Sequence, residues 1–375
     1  MHILYFTRDY TSHDHRFLSA LAGTEHQVSY LRLERSQHQV EDRSLPSAIE
    51  QVQWQGGKAP VRLKDGLRLL LDLKRVIRQV KPDIILAGPL QRTAFPVALA
   101  GYQPLISMSW GYDLIQDANR SAWWRWATRY TLKRSTVMVG DCSTIRSLAV
   151  SFGMPTERIV TFPWGIDLKH FSPPDHFPPV RSPAASPAPF TILSTRSWEP
   201  IYGVDLIARA FVQAAAQRPE LRLVMLGNGS QAGKLRQIFG ERRFGQDDQP
   251  TVIFPGQVKY ADLPRFYRQA DIYVSASHSD GTSISLLEAM ACGMPVLVSD
   301  IPGNREWVSQ GQQGWLFPDG DVKALADAIV QAVDQRTLLP EMGQAARQLT
   351  EQRANWDKNF PHLLQAFELA LSHPL

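Results

Sequence analysis

Ala270-Asp271-Ile272-Tyr273-Val274-Ser275-Ala276-Ser277-His278-Ser279-Asp280-Gly281-Thr282-Ser283-Ile284-Ser285-Leu286-Leu287-Glu288-Ala289-Met290-Ala291-Cys292-Gly293-Met294-Pro295-Val296-Leu297-Val298-Ser299-Asp300 reads as a buried strand, a polar glycine-containing loop, a helix, a glycine stop and a second buried strand. Two short apolar runs joined by a helix are the signature of a parallel α/β unit. The loop Asp280-Gly281-Thr282-Ser283 brings unpaired backbone N–H groups to the start of a helix that opens at Ile284 and Ser285. Such a terminus attracts phosphate through its free donors and the helix dipole. Asp280 lies in the loop and Glu288 in the first helical turns, with seven residues between them, so both can face one mouth.

The same alternation runs outward in both directions. Ile3–Phe6, Val28–Leu31, Ile84–Ala87, Leu105–Met108 and Val137–Val139 read as strands in the first half. Thr191–Leu193, Leu221–Leu226, Thr251–Phe254, Ile272–Val274 and Pro295–Val298 repeat the pattern in the second. Helices are expected between them, as over Asp205–Ala216 and Ile284–Cys292. Residues 169–189 are rich in proline, serine and alanine and are expected to link two domains. This gives an N-terminal domain over 1–168 and a C-terminal domain over 190–354. A closing helical pattern from Ala354 to Leu371 carries Trp356, Phe360, Leu363, Leu364 and Phe367. The fold class is α/β, with two doubly wound Rossmann-like domains that bind ligands at the carboxyl ends of their strands.

A chain of 375 residues, 44% hydrophobic and 20% charged, fits two soluble globular domains. No stretch approaches the roughly eighteen apolar residues of a membrane span. The apolar run at the N-terminus ends at Arg8-Asp9, too soon for a signal peptide, so a cytoplasmic location is expected. Two cysteines, Cys142 and Cys292, without a CxxC or Cys/His cluster, argue against a disulfide framework or structural zinc. A net charge of +4 fits phosphorylated substrates, nucleic acid or an anionic membrane surface alike, and no recognised nucleic-acid-binding module accompanies it.

The 270–300 stretch resembles the donor-binding motif of family 4 retaining glycosyltransferases, which have the GT-B fold of two facing domains with the active site in the cleft. Their pattern is Glu, seven residues, Glu, then Ala-Met-Ala and Gly-x-Pro-Val; here aspartate stands first. The resemblance implies that Asp280 contacts the transferred sugar and Glu288 holds the nucleotide ribose. It extends to Pro163–Asp167 with Phe171-Ser172-Pro173, and to Leu226-Gly227-Asn228-Gly229. Phe254–Val258 is similar to the segment that meets the base, which brings in Val258. Thr195-Arg196-Ser197 is similar to the strand end whose arginine holds the diphosphate. The closing helix, about 355–375, is similar to one that crosses back to the first domain. The implied donor set is therefore Arg196, Asp280, Gly281, Thr282, Ser283, Ile284, Ser285, Glu288, Gly227, Asn228, Val258 and Tyr202. The implied reaction moves a hexose-type sugar from a nucleoside diphosphate to an acceptor hydroxyl, with retained configuration and no metal or other cofactor.

This chain also departs from the family. Tyr202-Gly203-Val204-Asp205 has tyrosine where the family carries a lysine. Ser109-Trp110-Gly111-Tyr112-Asp113 has Trp110 in place of a histidine. Tyr10-Thr11-Ser12-His13-Asp14-His15-Arg16 replaces a Gly-Gly loop. Trp110, Gly111, Asp113, His13, Asp14 and His15 are thus the expected acceptor-side residues. Ser285-x-x-Glu288 is also a capping box, so Glu288 has a purely structural reading beside the ribose one. A non-catalytic nucleotide-sugar binder and a sugar-nucleotide epimerase of GT-B fold are the rival functions. Within residues 120–134, Arg125, Arg129 and Lys133 share one helical face, and Trp123, Trp126, Ala127 and Tyr130 another. That pattern fits a peripheral contact with an anionic membrane, at the inner face, and is also that of a core helix with inward aromatics and solvated arginines, the commoner case in soluble domains.

Overall fold

A computed structural model describes residues 1–35, 41–58, 61–174, 189–240 and 251–373. The chain divides into two compact units: Met1–Pro163 with Asn359–Leu375, and Trp164–Lys358. The expected linker falls mostly outside the described residues. Of its first part, Phe171 is buried in the core of the second unit.

The first unit holds strands β1 (His2–Thr7), β2 (Gln27–Arg32), β3 (Glu50–Gln51), β4 (Ile84–Gly88), β5 (Leu105–Met108), β6 (Val137–Gly140) and β7 (Ile159–Thr161). They form one parallel sheet in the order β3-β2-β1-β4-β5-β6-β7. The second unit holds β8 (Phe190–Ser194), β9 (Leu221–Leu226), β10 (Val252–Gly256), β11 (Ile272–Ser275), β12 (Val296–Ser299) and β13 (Gly314–Phe317). Its parallel order is β10-β9-β8-β11-β12-β13. The central strands are apolar throughout because helices cover both faces of each sheet.

In each sheet the strand order reverses once, between β1 and β4 and between β8 and β11. Loops leaving the carboxyl ends of those strands diverge there and open a crevice for a ligand. Arg8–Tyr10 and Pro89 follow the first pair; Thr195–Ser197 and Ala276–Ser283 follow the second.

Two expected elements differ. The closing pattern is two helices, Trp356–Asn359 and Pro361–Ser372, because Pro361 has no N–H to continue the ladder and suits a helix start. In helix Ala122–Arg134 the buried residues are Ala127, Thr128, Thr131 and Leu132, while Trp123 and Trp126 are exposed.

Candidate active site

The second unit gathers its functional side chains at the β8/β11 switch point. Arg196 leaves β8 and its side chain is almost wholly covered. Nη1 donates to Ser283 Oγ at 2.8 Å and Ser285 Oγ at 3.1 Å. Nη2 lies 2.8 Å from Asp280 Oδ2, an ion pair off the angle of a hydrogen bond. The guanidinium lies over the Tyr202 ring, with Cζ 3.9 Å from the ring centroid. Burial acts to lower the guanidinium pKa, but Asp280, Tyr202 and the buried tyrosines Tyr273 and Tyr267 hold it above its ordinary value. Among the described residues Nε meets no acceptor. A buried, charged donor without a partner is costly, and an anion at this point would satisfy it.

Helix Ile284–Ala291 begins in this cluster, with Ser283 as its N-cap. The Ser283 hydroxyl makes no capping bond and instead faces Arg196 and Ser285. The capping-box reading of Ser285 and Glu288 is therefore corrected: Ser285 lies inside the first turn, and its hydroxyl meets Tyr273 Oη at 2.8 Å. Glu288 is buried and accepts from Tyr267 Oη at 2.9 Å; Tyr267 also meets Thr195 Oγ1 at 3.1 Å. Burial, then the Glu288 charge, raises the Tyr267 pKa, so the phenol stays protonated and donates. One buried hydroxyl thus ties the residue before Arg196 to Glu288.

The loop itself is held from three sides. Ser299 Oγ donates to Ser277 O at 2.5 Å, and Asn304 Nδ2 donates to Ser299 O at 2.8 Å. His278 N donates to Ile201 O at 2.9 Å, which locks the loop to the segment carrying Tyr202. Gly303 has no side chain because a Cβ there would stand 2.2 Å from Gly281 O. Gly203, at φ +56°, is pressed as closely on Ala276 O. Thr282 is buried beside Gly281. Gly227 takes φ +99° at the end of β9; Asn228 O receives Trp198 N–H at 3.0 Å. Val258 packs into the core below.

In the first unit Trp110 follows β5, half-buried, with its ring 5.0 Å from that of His13 and its indole nitrogen over Gly88. Gly111 turns the chain there at φ +88°. Asp113 and Asp14 instead point inward. Asp113 accepts from Ser109 Oγ at 2.6 Å and from Leu90 N and Leu114 N at 3.0 Å. Asp14 closes a capping box with Thr11 and receives Tyr5 Oη at 3.1 Å. Burial pushes both carboxyls up to about 6. His15 meets Tyr10 Oη at 2.7 Å, and burial lowers its pKa. The structure thus groups Trp110 and His13 and gives Asp14 and Asp113 backbone-holding work.

Sequence reasoning missed Tyr267, Tyr273, Gly303 and Asn304. Tyr273 lies in an apolar strand and Tyr267 on the mixed helix Leu263–Gln269, and in both places only the ring leaves a trace. Gly303 and Asn304 carried no motif.

The chain matches two family models: glycosyl transferases group 1 over residues 181–349, and glycosyltransferase family 4 over residues 12–170. The D-inositol 3-phosphate glycosyltransferase of Pseudarthrobacter chlorophenolicus is 27% identical over 63% of this chain and 56% of its own length. The GDP-mannose-dependent monoacylated alpha-(1-6)-phosphatidylinositol monomannoside mannosyltransferase of Corynebacterium glutamicum is 27% identical over 61% and 58%. The match thus spans a little over half the length of these curated relatives. Among solved structures, Anabaena HepE in complex with UDP-glucose superposes with a TM-score of 0.77, at 16% identity, over 98% of this chain and 99% of that one. At that identity the likeness is one of fold.

Proposed function

We propose, for a chain that belongs to glycosyltransferase family 4, that it transfers a hexose-type sugar from a nucleoside diphosphate to an acceptor hydroxyl with retained configuration. The observation that carries the reading is the Arg196 fork, buried at the switch point between Asp280 and the first turn of the Glu288 helix. As the glycosyl bond breaks, charge grows on the diphosphate. Arg196 and the backbone N–H groups at the start of helix Ile284–Ala291 meet that charge in a site already organised for it, without a metal ion. The departing phosphate oxygen accepts the acceptor proton on the same face of the sugar. Asp280 orients the sugar, and Glu288 accepts the ribose hydroxyls.

The acceptor side is assigned to the first unit, around Trp110 and His13, where an indole face and a ring nitrogen can flank a sugar or polyol. A relative named for GDP-mannose and a neighbour holding UDP-glucose leave both nucleotides as donors to try. Helix Ala122–Arg134, basic and tryptophan-bearing, supports peripheral contact with an anionic membrane as the setting for transfer.

Calorimetry with UDP, GDP and their hexose conjugates, with and without magnesium, tests the donor half. One nucleotide series should bind, without need of the metal, and Arg196→Ala should weaken the diphosphate far more than the nucleoside. Equal losses for both would sink the Arg196 assignment. Donor consumed only when an acceptor is present separates transfer from epimerisation and from mere binding. The product's anomeric coupling by NMR checks retention.

A further inference from the structure

Helices Gly66–Val80 and Ala122–Arg134 carry the same outward pattern. Leu67, Leu71, Lys74 and Arg78 are spaced four, three and four apart, and so are Ala122, Trp126, Arg129 and Lys133. That spacing puts each set on a single stripe. In both helices the stripe lies opposite the buried one, which is Leu69, Leu73, Val76 and Ile77 in the first and Ala127, Thr128, Thr131 and Leu132 in the second. The apolar members stand in solvent: Leu67 is 72% exposed, Leu71 60%, Trp126 50% and the neighbouring Trp123 48%. Helix Phe95–Ala100 packs against both, so the two stripes flank one patch of the first unit. Phe95 seats Trp123 and Trp126 with ring centroids 5.7 Å away, and Leu99 is exposed beside it.

The charge on this surface decides what can cover it. The two helices hold eight lysines and arginines and one aspartate, Asp72, which is paired with Arg75. Their excess of seven positive charges exceeds the net +4 of the whole chain. A second copy seated on this face would bring two such fields together, which repels. An anionic bilayer matches it, since leucine and tryptophan enter the acyl boundary while the basic residues meet headgroups.

We infer that both helices together form an interfacial face that lies on anionic lipid, with Leu67 and Leu71 as a second insertion point beside Trp123 and Trp126. The inference rests on the membrane contact proposed for residues 120–134 and extends it to an element that carries no aromatic residue. Co-sedimentation of the full chain with phosphatidylglycerol-containing vesicles, against phosphatidylcholine vesicles, tests it. Binding should be selective for the anionic vesicles and fall with salt. It should drop at least tenfold in the Leu67→Glu, Leu71→Glu double variant and in the Trp123→Ala, Trp126→Ala double variant. Each of Lys74, Arg78, Arg129 and Lys133 changed to Gln should cost about fivefold. Nucleotide affinity and circular dichroism should stay at wild-type values, because all these side chains are exposed. Wild-type binding by the leucine variant, with loss in the tryptophan variant, overturns the two-helix face and leaves helix Ala122–Arg134 as the contact. No binding to anionic vesicles at low salt, with nucleotide still bound, overturns the membrane reading and spares the donor site. Self-association abolished by either variant would assign the patch to a second copy and overturn the inference.

Discussion

At the scale of single residues, Tyr267 is where the geometry asks most of one atom. Its hydroxyl bridges Thr195 and Glu288 inside the core, so removing the oxygen alone leaves the packing intact but takes one hydrogen bond from the Glu288 carboxylate. Tyr267→Phe should lower nucleoside diphosphate affinity about tenfold, the worth of one charge-assisted hydrogen bond. The loss should shrink for 2′-deoxy nucleotides, whose sugar lacks one of the two hydroxyls that Glu288 would hold. Titration calorimetry with both sugars decides; equal losses would make Tyr267 a packing residue only. Arg196, Asp280 and Glu288 could be singled out in the sequence through the family pattern that their strand end, loop and helix resemble. Tyr267 could not, since an aromatic at a helical core position looks the same whether or not its hydroxyl has a task. The inward setting of Asp14 and Asp113 was not legible in the sequence, since only the fold shows backbone N–H and hydroxyl groups closing over the two carboxylates.

At the scale of elements, helix Ile284–Ala291 has no side-chain cap, and the loop that leads into it lies against Gly303 at Asp280 and Gly281. Gly303→Ala would push a Cβ into the Gly281 carbonyl and displace the Asp280–Ser283 loop. Donor affinity should fall by one to two orders of magnitude, with stability reduced by about 1–3 kcal/mol, as for other overpacked sites. Unchanged donor affinity would show that the loop adjusts freely. Helix Ala122–Arg134 shows why periodicity alone mispredicts a face. Thr128 and Thr131 donate their hydroxyls to Trp124 O and Ala127 O at 2.8 Å, so they enter the core already satisfied and leave the tryptophans outside. The first turns of helices Ser12–Ala22 and Tyr112–Ile115 carry a pH signature. Asp14 and Asp113 rise from 3.8 to about 6 through burial, so the folded chain binds protons more tightly than the unfolded one. Their contribution to stability is then largest below about pH 4, declines as pH climbs to about 6, and is flat above. Two aspartate carboxyl carbons should titrate by NMR near pH 6, and the denaturant midpoint should fall from pH 5 to pH 7. Midpoints near 4 for both carboxyls would remove the effect.

At the scale of the whole molecule, two parallel sheets each reverse order once, and among the described residues the second crevice is the one where an arginine fork, Arg196, is held by Ser283, Ser285 and Asp280 at a helix N-terminus. The alternation of apolar runs made both sheets legible. The edge strands β3, β7 and β13 escaped because two to four residues at a sheet margin leave little pattern. The asymmetry between crevices makes a prediction that no single variant tests. A ligand that binds only the folded state adds about 2.7 kcal/mol at a hundredfold excess over its Kd. Amides that exchange by opening the donor loop should therefore slow about a hundredfold when nucleoside diphosphate is added. Hydrogen exchange read by mass spectrometry should show that protection over Thr195–Ser197 and His278–Glu288. Residues Ser109–Leu114 should keep their rates, since the Asp113 turn is held by its own hydrogen bonds with or without nucleotide. The reverse pattern, protection around Trp110 with none at Gly281, would move the donor to the first unit and take Arg196 out of the chemistry. Protection in both regions from nucleotide alone would contradict a donor confined to the second unit.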